Sequence, residues 1–336
     1  MGDPTRLFLP LKLSAAGATD IGKVRQHNED AILLRPDLNL FILADGAGGH
    51  NAGNVASALA TTAIANFFES TGHGAPDTEL DAFGLPIAGR RLAAGLQKAN
   101  EDILEIAKTS NKLRGMGTTA VALSCSPRSG MMHVAHVGDS RCYRWREGVL
   151  ELLTHDHSLI NEALEMHPNI DDAVLAKLPK NVVTRALGME PNVRVSVRSF
   201  RMLAGDKYLL CSDGLSDYIE DDTMGDLLAV PHPADQIVRS LVAKALEQQA
   251  RDNIAAIVIA AELATGAVAV PRVAPAARPH PSTMPPARQD TSSDPEIIIL
   301  AEDEPQGTPG PHFHVVPAAS ADDYVMEALE DFTKNR

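Results

Sequence analysis

Aspartates stand directly at the ends of the most apolar strand-like runs of this sequence, and this pattern constrains the fold more than any other feature. Asp45 follows FILA, Asp139 follows AHVG, Asp213 follows YLLCS and Asp252 precedes NIAAIVI. A carboxylate beside a buried strand is costly to ionise unless a cation or hydrogen bonds compensate its charge. One such aspartate is usually a turn former. Four of them, together with NED at 28–30, predict one acidic centre that holds two or more hard cations.

Glycines and one arginine flank these acids. The GAGG run at 46–49 lets the backbone bend closely around a site and present a carbonyl to a metal. Such a loop is equally typical of a strand-to-helix connection. The sequence contains no GxxxxGK[ST] motif, so a nucleotide-binding phosphate loop is not supported. Arg25 lies four residues before Glu29. Alone it would be a surface arginine, but beside a cationic centre it would clamp a phosphate dianion.

Composition places the chain among ordinary globular proteins with an acidic surface. The 336 residues are 44% hydrophobic, which is enough for a sizeable core, and the net charge is −14, which disfavours nucleic acid as a partner. No apolar run approaches 18 residues and no signal-peptide pattern begins the chain, so we expect no membrane contact. Three cysteines (Cys125, Cys142 and Cys211) are too few for a disulfide framework and predict a cytoplasmic location.

The composition changes sharply after Leu263, because 11 of the chain's 22 prolines fall within residues 266–317. We expect a catalytic-sized domain over 7–263, a disordered Pro/Ala-rich linker over 264–319 and a short acidic amphipathic tail over 320–336. Within this C-terminal region, PEIIILAEDE (295–304) has strand propensity and could add a strand to a partner's sheet edge, and 320–332 has the spacing of a short helix. A solvated tail with accidental apolar residues remains the alternative.

Hydrophobic periodicity predicts strands and helices in separate blocks, which indicates an α+β protein with helices covering sheets. Strands are predicted over 31–34, 38–44, 118–124, 131–136, 141–146, 149–154, 193–200, 207–212 and 253–261. Helices are predicted over 51–69, 84–108, 158–178 and 234–249, and REGV at 146–149 predicts a hairpin turn.

Eight segments, taken together, resemble one known family. They are GKVRQHNEDA (22–31), FILADGAGGH (41–50), MGTT (116–119), VGDSRCYR (137–144), LTHDHSL (153–159), TRALG (184–188), GDKYLLCSDGLSD (205–217) and RDNI (251–254). In this order and spacing the chain resembles the metal-dependent protein serine/threonine phosphatases of type 2C, in their bacterial form, over about residues 14–262. The resemblance implies a central antiparallel β-sandwich flanked by helix pairs, with a metal site in a cleft at one end.

The resemblance also implies a role for each acidic residue. Asp45 matches the carboxylate that bridges two Mg²⁺ or Mn²⁺ ions, and Gly46 would offer its carbonyl to one of them. Asp213 and Asp252 match ligands of the first ion.

Four further positions complete the implied site. Glu29 matches the residue that orders water around the second ion, and Asp139 matches one that helps to hold a third, weaker ion. Asp30 and Asn253 would support these ligands from behind, and Arg25 would bind the phosphate. Residues 117–119 would lie on the sheet under the site in a structural role.

The activity implied is hydrolysis of phosphoserine and phosphothreonine on proteins, in opposition to a protein serine/threonine kinase. Two ions bridged by Asp45 would lower the pKa of the water between them, and the resulting hydroxide would attack phosphorus while the ions and Arg25 neutralise the phosphoryl oxygens. No cysteine begins a C-x₅-R loop, so a cysteine-based mechanism fails. A weakly active or inactive binding module with the same fold, and a hydrolase of small phosphate esters, remain alternatives; the complete acidic set favours activity.

Two departures from the family's pattern concern the chemistry around this centre. Position 47 is alanine, where relatives often have histidine or methionine, so the sequence does not identify a general acid. His50 is nearby, and we interpret it as structural. Residues 160–180 match the family's mobile flap in place but not in sequence, and we expect this flap to shape substrate choice.

Overall fold

A computed structural model describes residues 11–48, 52–71, 80, 86–179 and 181–264, and the backbone of 297–299. The strands in chain order are β1 (Leu11–Asp20), β2 (Asp30–Arg35), β3 (Leu40–Ala47), β4 (Gly117–Thr118), β5 (Ala120–Ser126), β6 (Met131–Val137), β7 (Arg141–Arg146), β8 (Val149–Leu152), β9 (Val195–Arg201), β10 (Lys207–Cys211), β11 (Ile254–Leu263) and β12 (Ile297–Ile299). The helices are α1 (Ala52–Thr71), α2 (Ile87–Ala107), α3 (Leu159–Met166), α4 (Asp172–Leu175), α5 (Asp213–Ser216), α6 (Asp221–Ala229) and α7 (Ala234–Glu247).

These strands form two antiparallel sheets. The five-stranded sheet has the order β1-β11-β10-β7-β8, and the seven-stranded sheet has the order β12-β9-β6-β5-β3-β2, with β4 paired to β3. The two sheets pack face to face, and helices cover both outer faces. The predicted α+β class and flanked β-sandwich are therefore confirmed.

Strand β3 shows why the central strands are apolar on both faces. Phe41 and Leu43 lie in the core between the two sheets, whereas Leu40, Ile42 and Ala44 pack in a second core with α1 and α2. Successive side chains point to opposite faces of a strand, so a strand buried on both faces needs a continuous apolar run. The sequence LFILA meets this requirement.

Strands β10 and β11 repeat this arrangement in the other sheet. Tyr208 and Ile257 join the core between the sheets, whereas Leu209 and Val258 pack in a third core with residues of α5, α6 and α7. The resulting order of layers is helix, sheet, sheet, helix.

The antiparallel register brings the acidic strand ends to one end of the sandwich. Asp30 at the start of β2 lies opposite Asp45 near the end of β3. Cys211 at the end of β10 lies opposite both Ala256, near the start of β11, and Arg141, at the start of β7. Residues that precede β2, β7 and β11 or follow β3 and β10 therefore meet there.

Strand β1 was not predicted. Its sequence, LKLSAAGATD, lacks the alternation of large apolar side chains, yet it pairs with β11 along ten residues. Small residues allow its close packing, because a Cβ on Gly17 would lie 2.7 Å from Ile32 Cδ1 and would force that side chain to shift. Close packing, rather than hydrophobic periodicity, specifies this strand.

The predicted helix over 158–178 is wrong in its middle. Helix α3 begins at its N-cap Ser158, whose side chain accepts a hydrogen bond from the backbone of Asn161, and it ends before His167. Pro168 explains the break, because proline disfavours a helical conformation of the preceding residue. Asp171 then caps the short helix α4. The helices α5 and α6 were also missed, whereas the hairpin turn is confirmed by positive φ angles at Glu147 and Gly148.

The apolar segment of the C-terminal region forms a strand, as its composition predicts, but on a different sheet from the one expected. The backbone of β12 pairs antiparallel with β9, the edge strand of the chain's own seven-stranded sheet, with Ile298 opposite Ser196. The rest of the predicted linker and tail, including the helix predicted over 320–332, lies outside the described residues, as does His50. Among the helices that are described, none is long and apolar enough to span a bilayer.

Candidate metal centre

The predicted site residues meet in one cleft at the end of the sandwich. Its lining includes Arg25, Glu29, Asp45, Gly46, Ala47, Asp139, Asn181, Asp213, Asp252 and Asn253. Every predicted ligand is in this set, and Asp30 pairs with Asp45 across β2 and β3. Asn181, which follows the flap, was not predicted, because nothing in its local sequence shows that the flap returns to the cleft.

Asn253 fixes the loop that carries Glu29. Its Nδ2 donates to the carbonyls of Ile21 at 2.9 Å and His27 at 3.0 Å, and its Oδ1 accepts from the backbone N–H of Glu29 at 2.8 Å. The side chain thus ties the loop before β2 to the start of β11. This gives Asn253 a supporting position behind the ligand residues.

Two threonines hold the backbone of Asp45. Thr118 Oγ1 and the backbone N–H of Thr119 both donate to the carbonyl of Asp45 at 2.8 Å. The N–H of Asp45 in turn donates to Thr119 Oγ1 at 3.1 Å. The MGTT segment therefore acts as a clamp on Asp45, a more specific role than the sheet position inferred from sequence.

Two glycines allow backbones to approach closely at the cleft. A Cβ on Gly46 would lie 2.1 Å from the carbonyl oxygen of Gly53, and one on Gly214 would lie 1.9 Å from that of Asn253. No side chain larger than hydrogen fits at such distances. The glycines after Asp45 and Asp213 are thus required by packing around the site.

Asp30 links the two sheets beneath the cleft. Its Oδ2 accepts a hydrogen bond from Ser212 Oγ at 2.9 Å, whereas its Oδ1 is buried with no hydrogen-bond partner among the described residues. Burial raises the pKa of Asp30 to about 8, and the nearby charge of Asp213 adds to the effect. Asp213 Oδ1 is likewise buried without a partner in the described part of the chain, and burial raises the pKa of Asp213 to about 7.

Asp45 and Asp139 are subject to the same burial and repulsion. Burial and neighbouring aspartates raise the pKa values of Asp45 and Asp139 well above their ordinary range. The cleft therefore concentrates more negative charge than its surroundings stabilise, and cations would offset it.

The donor set of the cleft fits hard divalent cations. Carboxylate and carbonyl oxygens are the ligands that Mg²⁺ and Mn²⁺ favour, and two buried carboxylate oxygens lack other partners in the described residues. Within those residues, no three acidic, histidine or cysteine side chains converge closely enough to enclose an ion. Water would therefore complete each coordination shell, as is usual for Mg²⁺.

Arg25 lies at the mouth of the cleft. Its Nη2 is 2.6 Å from Asp252 Oδ2, and the two side chains are 41% and 36% exposed. An exposed pair of this kind contributes little to stability, so its position at the cleft matters more than its energy. The guanidinium is accessible to an anionic ligand.

The cysteines are not suited to act as nucleophiles. All three are free and buried, and burial raises the pKa of Cys211 to about 12. A buried thiol with a raised pKa is unreactive.

Comparison with known proteins identifies the family. A family model described as protein phosphatase 2C matches residues 21–259. The serine/threonine phosphatase stp of Listeria monocytogenes is 32% identical over 248 residues, which cover 73% of this chain and 94% of that protein. The phosphatase PstP of Mycobacterium tuberculosis is 34% identical over 250 residues, which cover 74% of this chain and 45% of that protein.

Solved structures agree with the sequence comparisons. The crystal structure of Mycobacterium tuberculosis PstP/Ppp matches with a TM-score of 0.64 at 30% identity, covering 74% of this chain and 99% of that one. A PstP catalytic domain in complex with two manganese ions matches with a TM-score of 0.62 at 31% identity, covering 75% and 99%. With the acidic cleft and the helix-flanked sandwich, these matches show that the chain belongs to the protein phosphatase 2C family of serine/threonine protein phosphatases.

Proposed function

We propose that this chain hydrolyses phosphoserine and phosphothreonine on proteins with two or three Mn²⁺ or Mg²⁺ ions. The ligands would be Glu29, Asp45, Gly46, Asp139, Asp213 and Asp252. The observation that carries the proposal is the convergence of these groups in one cleft, where two buried carboxylate oxygens lack partners among the described residues. The manganese ions in the similar PstP structure support it.

The chain's own residues hold and orient the reacting groups. Bound ions supply an activated water and neutralise phosphoryl charge. Asp45, whose backbone is clamped by Thr118 and Thr119, presents its carboxylate to the cleft, and Asp30 lies opposite it across β2 and β3. Asn253 keeps Glu29 in place through the backbone.

Arg25 would bind the phosphate at the mouth of the cleft. Its guanidinium can donate two parallel hydrogen bonds to a phosphate dianion, which orients phosphorus toward the carboxylate cluster. Ala47 has no proton to donate, so the departing serine or threonine oxygen takes its proton from water or another side chain.

The biological setting proposed is the cytoplasm, in opposition to a serine/threonine kinase. The three free, buried cysteines are consistent with a reducing compartment. An inactive binding module with the same fold is the alternative. It is disfavoured because the cleft retains every carboxylate of the ligand set.

Asp45→Asn and Asp213→Asn should each lower kcat by about 100-fold or more, because each removes a charge needed to hold metal.

The metal-free protein should stay folded in both variants. Burial raises the pKa of Asp213 from 3.8 to about 7 in the folded state, so the folded form retains a proton that the unfolded form loses across that interval. The free energy of unfolding therefore falls as pH rises from 3.8 to about 7, and Asp213→Asn should make this fall smaller.

Phosphopeptide turnover over a Mn²⁺ titration, with thermal unfolding of the metal-free variants at pH 5 and pH 8, tests this prediction. Asp217→Asn, beside the cleft but outside its lining, is the matched control for charge removal. Wild-type turnover by either cleft variant at saturating Mn²⁺ would show the ligand assignment to be wrong.

Arg25→Ala should lower kcat/KM for a phosphothreonine peptide roughly 10- to 150-fold, because it removes a charge-assisted bidentate contact. Lys23→Ala, two residues away, removes an exposed cation of the same loop and should leave kcat/KM nearly unchanged. Steady-state kinetics of both variants make the comparison. Equal kcat/KM values in the two variants would assign Arg25 to the surface rather than to phosphate binding.

Chelation and thiol alkylation should have opposite effects. EDTA should stop turnover, and added Mn²⁺ should restore it, whereas iodoacetamide should leave the native enzyme active because its cysteines are buried. Turnover after each treatment is the measurement. Alkylation that inactivates the enzyme, and from which substrate protects it, would favour a cysteine mechanism.

We further propose that residues 266–336 serve in partner recruitment and that residues 7–263 form the catalytic unit. Deleting 266–336 should leave phosphopeptide turnover unchanged, because every residue of the cleft lies before residue 254. Hydrogen exchange should become faster at the amides of β9, because β12 pairs with that strand. Loss of partners in a pull-down would support recruitment, whereas loss of turnover would place the tail within the catalytic unit.

A further inference from the structure

His157 forms two hydrogen bonds with Gly138, the residue that precedes Asp139. It is buried, with 4% of its surface exposed. The ring Nδ1 of His157 accepts from the backbone N–H of Gly138 at 3.0 Å, and the backbone N–H of His157 donates to the carbonyl of Gly138 at 3.0 Å. Because Nδ1 accepts, the neutral ring carries its proton on Nε2, which lies 2.9 Å from Ser196 Oγ on β9.

A second buried histidine keeps this ring in place. The ring of His136, on β6, stacks on that of His157 with centroids 4.7 Å apart and planes inclined by 9°. The Nε2 of His136 is 2.7 Å from the carbonyl oxygen of His155. Burial lowers the pKa of both rings, so two stacked neutral imidazoles form a rigid support.

The backbone at Gly138 is sterically restricted. Gly138 has a φ of +103°, and a Cβ there would lie 2.7 Å from Thr119 Cβ. Gly138 is therefore confined between Thr119, which clamps Asp45, and the His157 ring. These two contacts, with the 2.7 Å hydrogen bond between Thr119 Oγ1 and Ser140 Oγ, restrict the direction in which Asp139 enters the cleft.

His157 also stands at the base of the flap. Its carbonyl accepts from the N–H of Thr184 at 2.9 Å, and the next residue, Ser158, forms a β-bridge with Val183. The residue thus joins the two ends of the flap to the Asp139 peptide. Nothing in LTHDHSL shows this link, because the partners lie 19 and 39 residues away along the chain.

We propose that His157 is a positioning residue that holds Asp139 in its ion-binding orientation from the base of the flap. The inference rests on the proposed function, in which Asp139 is an ion ligand. Residues that orient metal ligands typically change ion affinity about 10- to 100-fold when they are replaced.

Two substitutions separate the two ring nitrogens. In His157→Gln the amide nitrogen can reach Ser196, but no acceptor remains for the Gly138 N–H. In His157→Asn the side-chain oxygen can replace Nδ1, while the bond to Ser196 is lost. We expect His157→Gln to weaken Mn²⁺ binding about 10- to 100-fold at the site that Asp139→Asn abolishes, and His157→Asn to weaken it less, because only the bond to Ser196 is lost.

Calorimetric Mn²⁺ titration of the full-length proteins, with turnover and thermal unfolding alongside, measures these effects. Adding His157→Gln to Asp139→Asn should change Mn²⁺ binding no further, whereas general destabilisation would add to the loss. Suppose that Asp139→Asn abolishes Mn²⁺ binding at one site. If the affinity of His157→Gln for Mn²⁺ at that site is then within twofold of wild type, the positioning role is wrong. If Asp139→Asn binds Mn²⁺ like wild type, the ligand assignment in the proposed function fails first.

Ser196→Ala provides a test should His157→Gln not fold. It removes only the hydroxyl that fixes Nε2, so the ring keeps its place on His136 with less restraint. Weaker Mn²⁺ binding at the Asp139-dependent site, with no further loss in Asp139→Asn, is expected. Unchanged Mn²⁺ binding in a folded Ser196→Ala protein would overturn the proposal.

Discussion

Repulsion among carboxylates that are anchored on two different sheets is the constraint on which the rest of the structure depends. Asp30 and Asp45 face each other across β2 and β3, and Asp213 begins the helix after β10. Asp30 and Asp45 cannot withdraw without disturbing the pairing of β2 with β3. The rigid sandwich therefore holds these groups together, and burial, with repulsion from neighbouring aspartates, raises the pKa values of all three residues. A site held open in this way has its carboxyl groups in place before any cation arrives.

Much of this architecture is predictable because it follows from patterns of neighbouring residues in the sequence. A strand such as β3, buried on both faces, must be continuously apolar, and the recurrence of aspartates at the ends of such runs predicts a polar centre. The order and spacing of the motifs indicate the family, and the family in turn implies the sandwich and the site positions of residues such as Arg25 and Glu29. The cleft brings these residues together as the motifs predict.

The remainder depends on contacts between distant parts of the chain. Strand β1 is specified by close packing of small residues against β2 and β11, which leaves no periodic signal. The clamp of Thr119 on Asp45 spans 74 residues, and no local rule identifies such a partner. The break in the flap, in contrast, has a local cause in Pro168.

The layered cores have a consequence for how the protein unfolds. Because β3, β10 and β11 are buried on both faces, each strand belongs to the core between the sheets and also to a core beneath helices. Detaching α1 and α2 would expose one face of strands whose other face still supports the opposite sheet. Neither helical layer can then melt as an independent unit, and the described part of the chain should behave as a single cooperative block.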